Sequence, residues 1–232
     1  MHRVGVIIAA GGSGKRFGGR IPKQFVPVGG VPILRRSIEV FRRIRFIDEI
    51  VVVSAAEYVN RVERLLGQMG CRQILTIVPG GKERQDSVWN GLKAFVSPPE
   101  IVLVHDAARP FVSSELVRRA ISSAAKYGSA VVGTRPSDTI KLEGKKGFYT
   151  STPDRERLWA VQTPQAFKFE LLLKAHRAAR RSGYRGTDEA SLVERLKIPV
   201  RIVKGDPGNV KITTRHDLRM VEIWLERRKI RH

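Results

Sequence analysis

Cysteine is nearly missing from this sequence: Cys71 is the only one in 232 residues. That excludes an internal disulfide and a cysteine-built metal cage, and leaves Cys71 to be read as a buried or idle thiol. Acidic residues are also scarce, with 22 Asp and Glu against 43 Lys and Arg, a formal net charge of +21. Such a balance attracts polyanions: nucleic acid, anionic membrane or phosphorylated small molecules. A solvated basic surface accounts for it as well, since Arg42, Arg43, Arg180 and Arg181 fall where helices need a polar face. Long apolar runs are absent. The longest near the N-terminus, 4–10, is too short for a membrane span or for a signal core with its cleavage site. The expectation is a cytoplasmic protein without a membrane partner. Zinc-finger, homeodomain and aromatic RNA-binding signatures are missing too. A basic nucleic-acid-binding protein therefore stands only as a remote alternative, carried by charge alone.

What is present fits one α/β domain over 1–232. Hydrophobic residues make up 42% and aromatics 7%, a globular composition. Short β-branched runs at 3–10, 50–54, 74–78, 101–105, 130–134 and 200–203 read as strands. Between them, apolar residues recur at helical spacing. Leu34, Ile38 and Phe41 share a face of a helix over 32–46, and Val59, Val62, Leu66 and Met69 mark another. Further helices are expected over 84–95, after a cap at Ser113 or Ser114, over 168–182, 188–196 and 215–228. The alternation predicts a mostly parallel sheet with helices on both faces. Such sheets bind ligands outside the carboxyl ends of their strands. The rhythm breaks over 137–157, a polar stretch with a turn at Gly144-Lys145-Lys146-Gly147. A protruding β-arm is expected there.

Three loops fall at strand ends. The first holds Ala10, Gly11, Gly12, Ser13 and Gly14, followed by Arg16 and Lys23. Glycines let main-chain N–H groups close around phosphate oxygens, and the two cations add full charge. The spacing is neither a P-loop nor the Rossmann fingerprint, and a plain glycine turn reads there as well. The second loop carries Gly80, Gly81, Lys82 and Ser87, which suit either a base-reading loop or a turn and helix start. The third begins at Asp106, followed by Ala107 and Arg109. Magnesium needs only one or two carboxylates, so Asp106 alone suffices as a ligand; a turn or capping aspartate is the plainer alternative. His105 reads as structural, because no second histidine has metal spacing. Thr163-Pro164-Gln165 and Thr187-Asp188-Glu189-Ala190 read locally as turns and helix starts, and Lys211 as one more surface lysine.

The ordered set of Pro22-Lys23-Gln24, His105-Asp106-Ala107-Ala108-Arg109-Pro110, Trp159-Ala160-Val161-Gln162-Thr163-Pro164-Gln165, Gly186-Thr187-Asp188-Glu189-Ala190-Ser191 and Asn209-Val210-Lys211-Ile212-Thr213 resembles the 2-C-methyl-D-erythritol 4-phosphate cytidylyltransferase family. The resemblance implies a Rossmann-like fold of the nucleotide-diphospho-sugar transferase type. It implies transfer of CMP from CTP to methylerythritol phosphate, with magnesium or another divalent cation. By the same resemblance, Arg16 and Lys23 stabilise the transition state, Asp106 holds the metal, and Arg155 and Lys211 grip the attacking phosphate. Thr139 and Arg109 are further substrate contacts, and Ala107 and Thr163 join the binding set. Ser87 and the backbone of Gly80, Gly81 and Lys82 read cytosine. The 137–157 arm embraces a second subunit of a homodimer, so that Arg155 and Thr139 serve the partner's site. Two departures stand out. The family writes its first loop A-A-G-x-G-x-R, one residue shorter than here, so Gly11 and Gly12 both qualify for close approach. Position 82 is Lys where an acidic residue is usual. Ribitol-5-phosphate cytidylyltransferase, the nearest rival, more often reads H-D-S-V-R-P and T-D-A; Ala107-Ala108 and Glu189-Ala190 favour the methylerythritol substrate.

Overall fold

Apolar runs without polar alternation need cover on both faces, and here they receive it. In the computed structural model, which describes every residue except 1, 13–16, 19, 20, 68, 71, 72 and 230–232, strands β1 (Val4–Ala10), β4 (Glu49–Ser54) and β6 (Ile101–Asp106) are almost wholly buried. With β5 (Ile74–Pro79), β7 (Ser129–Thr134), β10 (Ala160–Lys168) and β11 (Arg201–Lys204) they form one sheet in the order β11-β7-β10-β6-β1-β4-β5. Every pairing is parallel except the two made by β10. A short antiparallel pair, β2 (Pro27–Val28) and β3 (Val31–Pro32), follows the first loop.

The pleat sorts side chains by parity. Val6, Ile8, Val52 and Leu103 face α1 (Ile33–Arg42), α2 (Val59–Leu66) and α4 (Ser114–Tyr127). Ile7, Val51, Val53, Val102 and Val104 face α3 (Arg84–Lys93), α5 (Phe169–Ser182) and α6 (Glu189–Glu194). Gly91 lets α3 lie this close: a Cβ there would stand 2.8 Å from the Ile7 Cγ2. Ser113 caps α4 by accepting from the Leu116 N–H. The closing helix α7 (Arg215–Lys229) packs Val221 against Val28, Ile33 and Ile212.

The structure corrects several expectations. Helices α1, α2, α3 and α6 stop earlier than their apolar pattern, and Met69 reaches the core from beyond the end of α2. Cys71 lies outside the described residues. The largest correction is β10. The segment expected as a turn at Thr163-Pro164-Gln165 lies within the longest strand, between β6 and β7. The ladder to β7 steps from Gln162↔Val132 to Gln165↔Val131, so Thr163 and Pro164 bulge out of it. A proline is tolerated there because a bulge asks no ladder hydrogen bond of it. The expected arm is present: β8 (Leu142–Glu143) pairs antiparallel with β9 (Tyr149–Ser151) around a tight turn at Lys145–Gly147, where Lys146 takes φ 57°.

Candidate active site

The carboxyl ends of β1, β5 and β6 open into a cavity of about 620 Å³. Its walls include Ala10, Gly11 and Gly12 from the first loop, Lys23 from the turn after it, Gly81, Lys82 and Ser87 from the second, Asp106 and Ala107 from the third, and Lys211. A larger concavity of about 1010 Å³ beside α1 is lined by arginines such as Arg35 and Arg118 but lacks a strand-end carboxylate.

Asp106 is the centre of the smaller cavity. Its Oδ2 meets the Lys211 Nζ at 2.6 Å, and its Oδ1 lies 3.4 Å from the Arg84 guanidinium. Burial by itself would raise this carboxyl, but Arg84 and Lys211 together outweigh it and hold Asp106 well below the usual carboxylate range. Arg84 is steered from behind. Its Nη1 donates to both oxygens of the buried Glu189, at 2.8 and 2.7 Å. Burial pushes the Glu189 carboxyl up, against the pull of that guanidinium.

A buried hydrogen-bond chain fixes the backbone of Asp106. Its N–H donates to the Thr163 Oγ1 at 3.0 Å, and that hydroxyl lies 3.2 Å from the His105 Nδ1. The His105 Nε2 is 3.0 Å from the Arg109 carbonyl. A carbonyl only accepts, so Nε2 carries the proton and Nδ1 accepts from Thr163. Burial lowers His105 to about 4, which keeps the ring neutral and this tautomer in place. The bulge in β10 is what presents Thr163 to the end of β6.

A second set of bonds delivers Lys211. The Asn209 Nδ2 donates to the Thr163 carbonyl at 2.8 Å and to the Gln162 Oε1 at 3.2 Å. Arg109 donates to the Asn209 carbonyl at 2.8 Å, and the Ile212 N–H to the Ala108 carbonyl at 2.9 Å. The chain is therefore pinned on both sides of Lys211. The second loop is braced in the same manner. The Ser87 hydroxyl accepts from the Gly81 N–H and donates to the Glu83 carbonyl, each at 3.1 Å. A Cβ at Gly80 would stand 2.8 Å from that hydroxyl and force the brace to shift.

The arrangement joins cations, a glycine loop and the buried, ionised carboxylate of Asp106. Among the described residues no group of three or more His, Cys, Asp or Glu is placed to hold a metal. This donor set suits binding and transfer of phosphates.

A family model described as 2-C-methyl-D-erythritol 4-phosphate cytidylyltransferase (IspD) matches residues 4–227. The chain belongs to this family. It is 48% identical over 223 residues to the enzyme of that name from Symbiobacterium thermophilum, covering 96% of this chain and 93% of that one. It is 44% identical over 222 residues to the Geobacillus kaustophilus enzyme, covering 96% of each. Among solved structures, the 4-diphosphocytidyl-2C-methyl-D-erythritol synthase of Anaerococcus prevotii superposes with a TM-score of 0.86 at 30% identity, over 97% of this chain and 99% of that one. The Thermus thermophilus cytidylyltransferase superposes with a TM-score of 0.75 at 34% identity, over 96% and 98%. As a cytidylyltransferase of this family, the protein transfers CMP from CTP to methylerythritol phosphate.

The cytidylyltransferase cavity gathers some of the expected residues and leaves others aside. Lys23, Lys211, Asp106, Ala10, Gly11, Gly12, Gly81, Lys82 and Ala107 line it. Gly11 stands against the second loop, where a Cβ would be 3.7 Å from the Ser87 Oγ, whereas Gly12 faces open space. Arg16, Ser13 and Gly14 lie outside the described residues. Arg109 and Thr163 are buried behind the cavity rather than in its wall. Gly80 is not in the wall either, and its N–H donates to the Ser54 carbonyl at 2.6 Å. Thr139 and Arg155 lie out on the exposed arm, where the Arg155 Nη1 donates to the Ser137 carbonyl at 2.9 Å. Arg84 and Glu189 were not expected in the site. Glu189 belongs to a quoted motif and Arg84 follows the second loop, but 105 positions separate them, and no local pattern pairs them.

Proposed function

We propose that CTP binds in this cavity with a divalent cation, magnesium in the first instance, on Asp106, and that the cations around it carry the transfer. The observation behind this reading is a buried, ionised carboxylate at the end of β6, facing Lys23 and a glycine loop in one cavity. A single carboxylate suits an ion that takes its other ligands from phosphates and water. When bound, that ion supplies charge neutralisation on the triphosphate oxygens.

The second substrate is a phosphate monoester, a dianion at neutral pH because its second pKa is about 6. Its oxygen bonds to the α-phosphorus of CTP, the bond from that phosphorus to the bridging oxygen breaks, and diphosphate leaves with the electron pair. No proton has to be removed, so no general base is needed. The work is to bring two polyanions into line and to hold the charge that develops on the leaving group. We assign Lys23 and Arg16 to the triphosphate, Lys211 and Arg155 to the attacking phosphate, and the main chain of 80–82 to the base. The Ser87 hydroxyl braces that main chain. Thr163 and Arg109 act by positioning Asp106 and the 209–212 segment.

The arm supports a homodimer. Phe148 and Tyr149 are 74% and 72% exposed on a two-stranded pair that has no core of its own. Packed on a second copy, they would be covered, and Thr139 and Arg155 would be carried toward the neighbouring site. No helix among the described residues is long and apolar enough to cross a membrane, in keeping with a reaction in the cytoplasm between two water-soluble phosphates.

Asp106→Asn tests the reading. Diphosphate release from CTP and methylerythritol phosphate should collapse at ordinary magnesium and recover little at high magnesium. An unchanged magnesium dependence would overturn the assignment.

A further inference from the structure

Lys211 and a divalent cation have the same claim on Asp106. In the structure the ammonium takes the Asp106 Oδ2 at 2.6 Å. Among the described residues the other oxygen, Oδ1, has two long contacts of 3.4 Å, with the Nε and Nη2 of Arg84, whose guanidinium is held by Glu189 through two short bonds. Arg84 is therefore fixed, and Lys211 is the partner that can leave. Its backbone is anchored at Asn209 and Ile212, but its side chain is 39% exposed, so water can receive the ammonium. A carboxylate this buried is costly to leave unpaired. An ammonium on Oδ2 satisfies it until another cation arrives.

We propose that Lys211 is a built-in placeholder for the divalent cation, which must displace its ammonium from Asp106 in order to bind. The idea rests on the reading of Asp106 as the cation's ligand and adds a second role to a residue already assigned to the attacking phosphate. It leads to an unusual expectation: removing this cationic side chain strengthens cation binding while it weakens turnover.

The test uses Mn²⁺ alone, titrated into the full-length protein and followed by electron paramagnetic resonance, without nucleotide. Lys211→Met keeps the length and removes the charge. It should bind Mn²⁺ at least about fivefold more tightly than the unaltered protein, the scale of a partly exposed ion pair. Lys211→Gln should behave alike. Lys82→Met removes the same charge from the same cavity without touching Asp106 and should change the affinity less than about twofold, the remainder expected from screened charge at longer range. Equal or weaker Mn²⁺ binding by both Lys211 variants would overturn the proposal. So would an equal gain in Lys82→Met, which would mark a general charge effect. Asp106→Asn separates the two levels. If it lowers Mn²⁺ affinity while the Lys211 variants do not raise it, only the placeholder role falls. If it leaves Mn²⁺ binding unchanged, the metal reading falls and this inference with it.

Discussion

His176 should make the protein sensitive to acid, and His176→Leu should relieve that sensitivity. The ring sits on the inner face of α5, 0% exposed, with neither nitrogen bonded to a protein group among the described residues. It stacks on Trp89 at 6.2 Å, and Arg180 lies over the same indole at 5.2 Å. Burial, reinforced by repulsion from Arg84 and Arg180 and only partly offset by Asp86, lowers this histidine from 6.5 to about 4. Above pH 6.5 the ring is neutral in both folded and unfolded chains, and stability does not depend on it. As pH falls from 6.5 toward 4, the unfolded chain takes up a proton that the folded chain refuses. Stability is lost at up to 1.36 kcal/mol per pH unit, about 3 kcal/mol across the window. Leucine is close in size and needs no hydrogen bonds. At pH 7.5 the variant should be at least as stable as the unaltered protein, because two desolvated nitrogens are gone. Urea unfolding followed by far-ultraviolet circular dichroism at pH 7.5, 6.5, 5.5 and 4.5 reads the difference. The variant should lose about 2.5 kcal/mol less between pH 7.5 and 4.5. His105 titrates alike in both proteins and cancels. Parallel stability curves across that range would refute the reasoning.

The remaining predictions concern the site. Lys23→Ala should lower kcat by roughly 100-fold or more, the scale of removing one electrostatic donor from a transition state; steady-state kinetics showing only a raised KM would sink that role. Glu189→Gln removes one partner of a buried pair, which costs about 3–5 kcal/mol where both charges are dry. Because Arg84 keeps some contact with water, we expect a value at or below the low end, measured by urea unfolding, and an unchanged midpoint would show that the pair carries no stability. If Arg155 serves the neighbouring subunit, Arg155→Ala and Lys23→Ala should each be nearly inactive. Refolded together in equal amounts they should recover about a quarter of full activity, since about half the dimers are mixed and one site in each is intact. Demonstrated mixing of chains without recovery would place Arg155 elsewhere.

The strands of the parallel sheet were legible in the sequence, because a strand buried on both faces must be largely apolar, as 4–10 and 101–104 are. The helices were legible from periodicity, though their ends were not: Met69 continues the apolar spacing of α2 after the backbone has stopped being helical. The motifs pointed to the phosphate-binding loop and to Asp106, because strand-end glycines and a strand-end carboxylate are local features. β10 could not be read in the same way. Its polar residues and Pro164 resemble a turn, and it becomes a strand only because β6 and β7 lie on either side to pair with it. The same holds for Thr163, Asn209 and Glu189, whose neighbours in sequence say nothing of the distant groups they bind. By itself the sequence determined which segments must be buried and which chemical groups were available, since both depend on residue type. Only the tertiary structure decided that Arg84 and Lys211 would both meet Asp106, and that Glu189 would hold Arg84 in place. Two of those contacts, Lys211 to Asp106 and Arg84 to Glu189, each span 105 positions, and packing around one sheet brings them together.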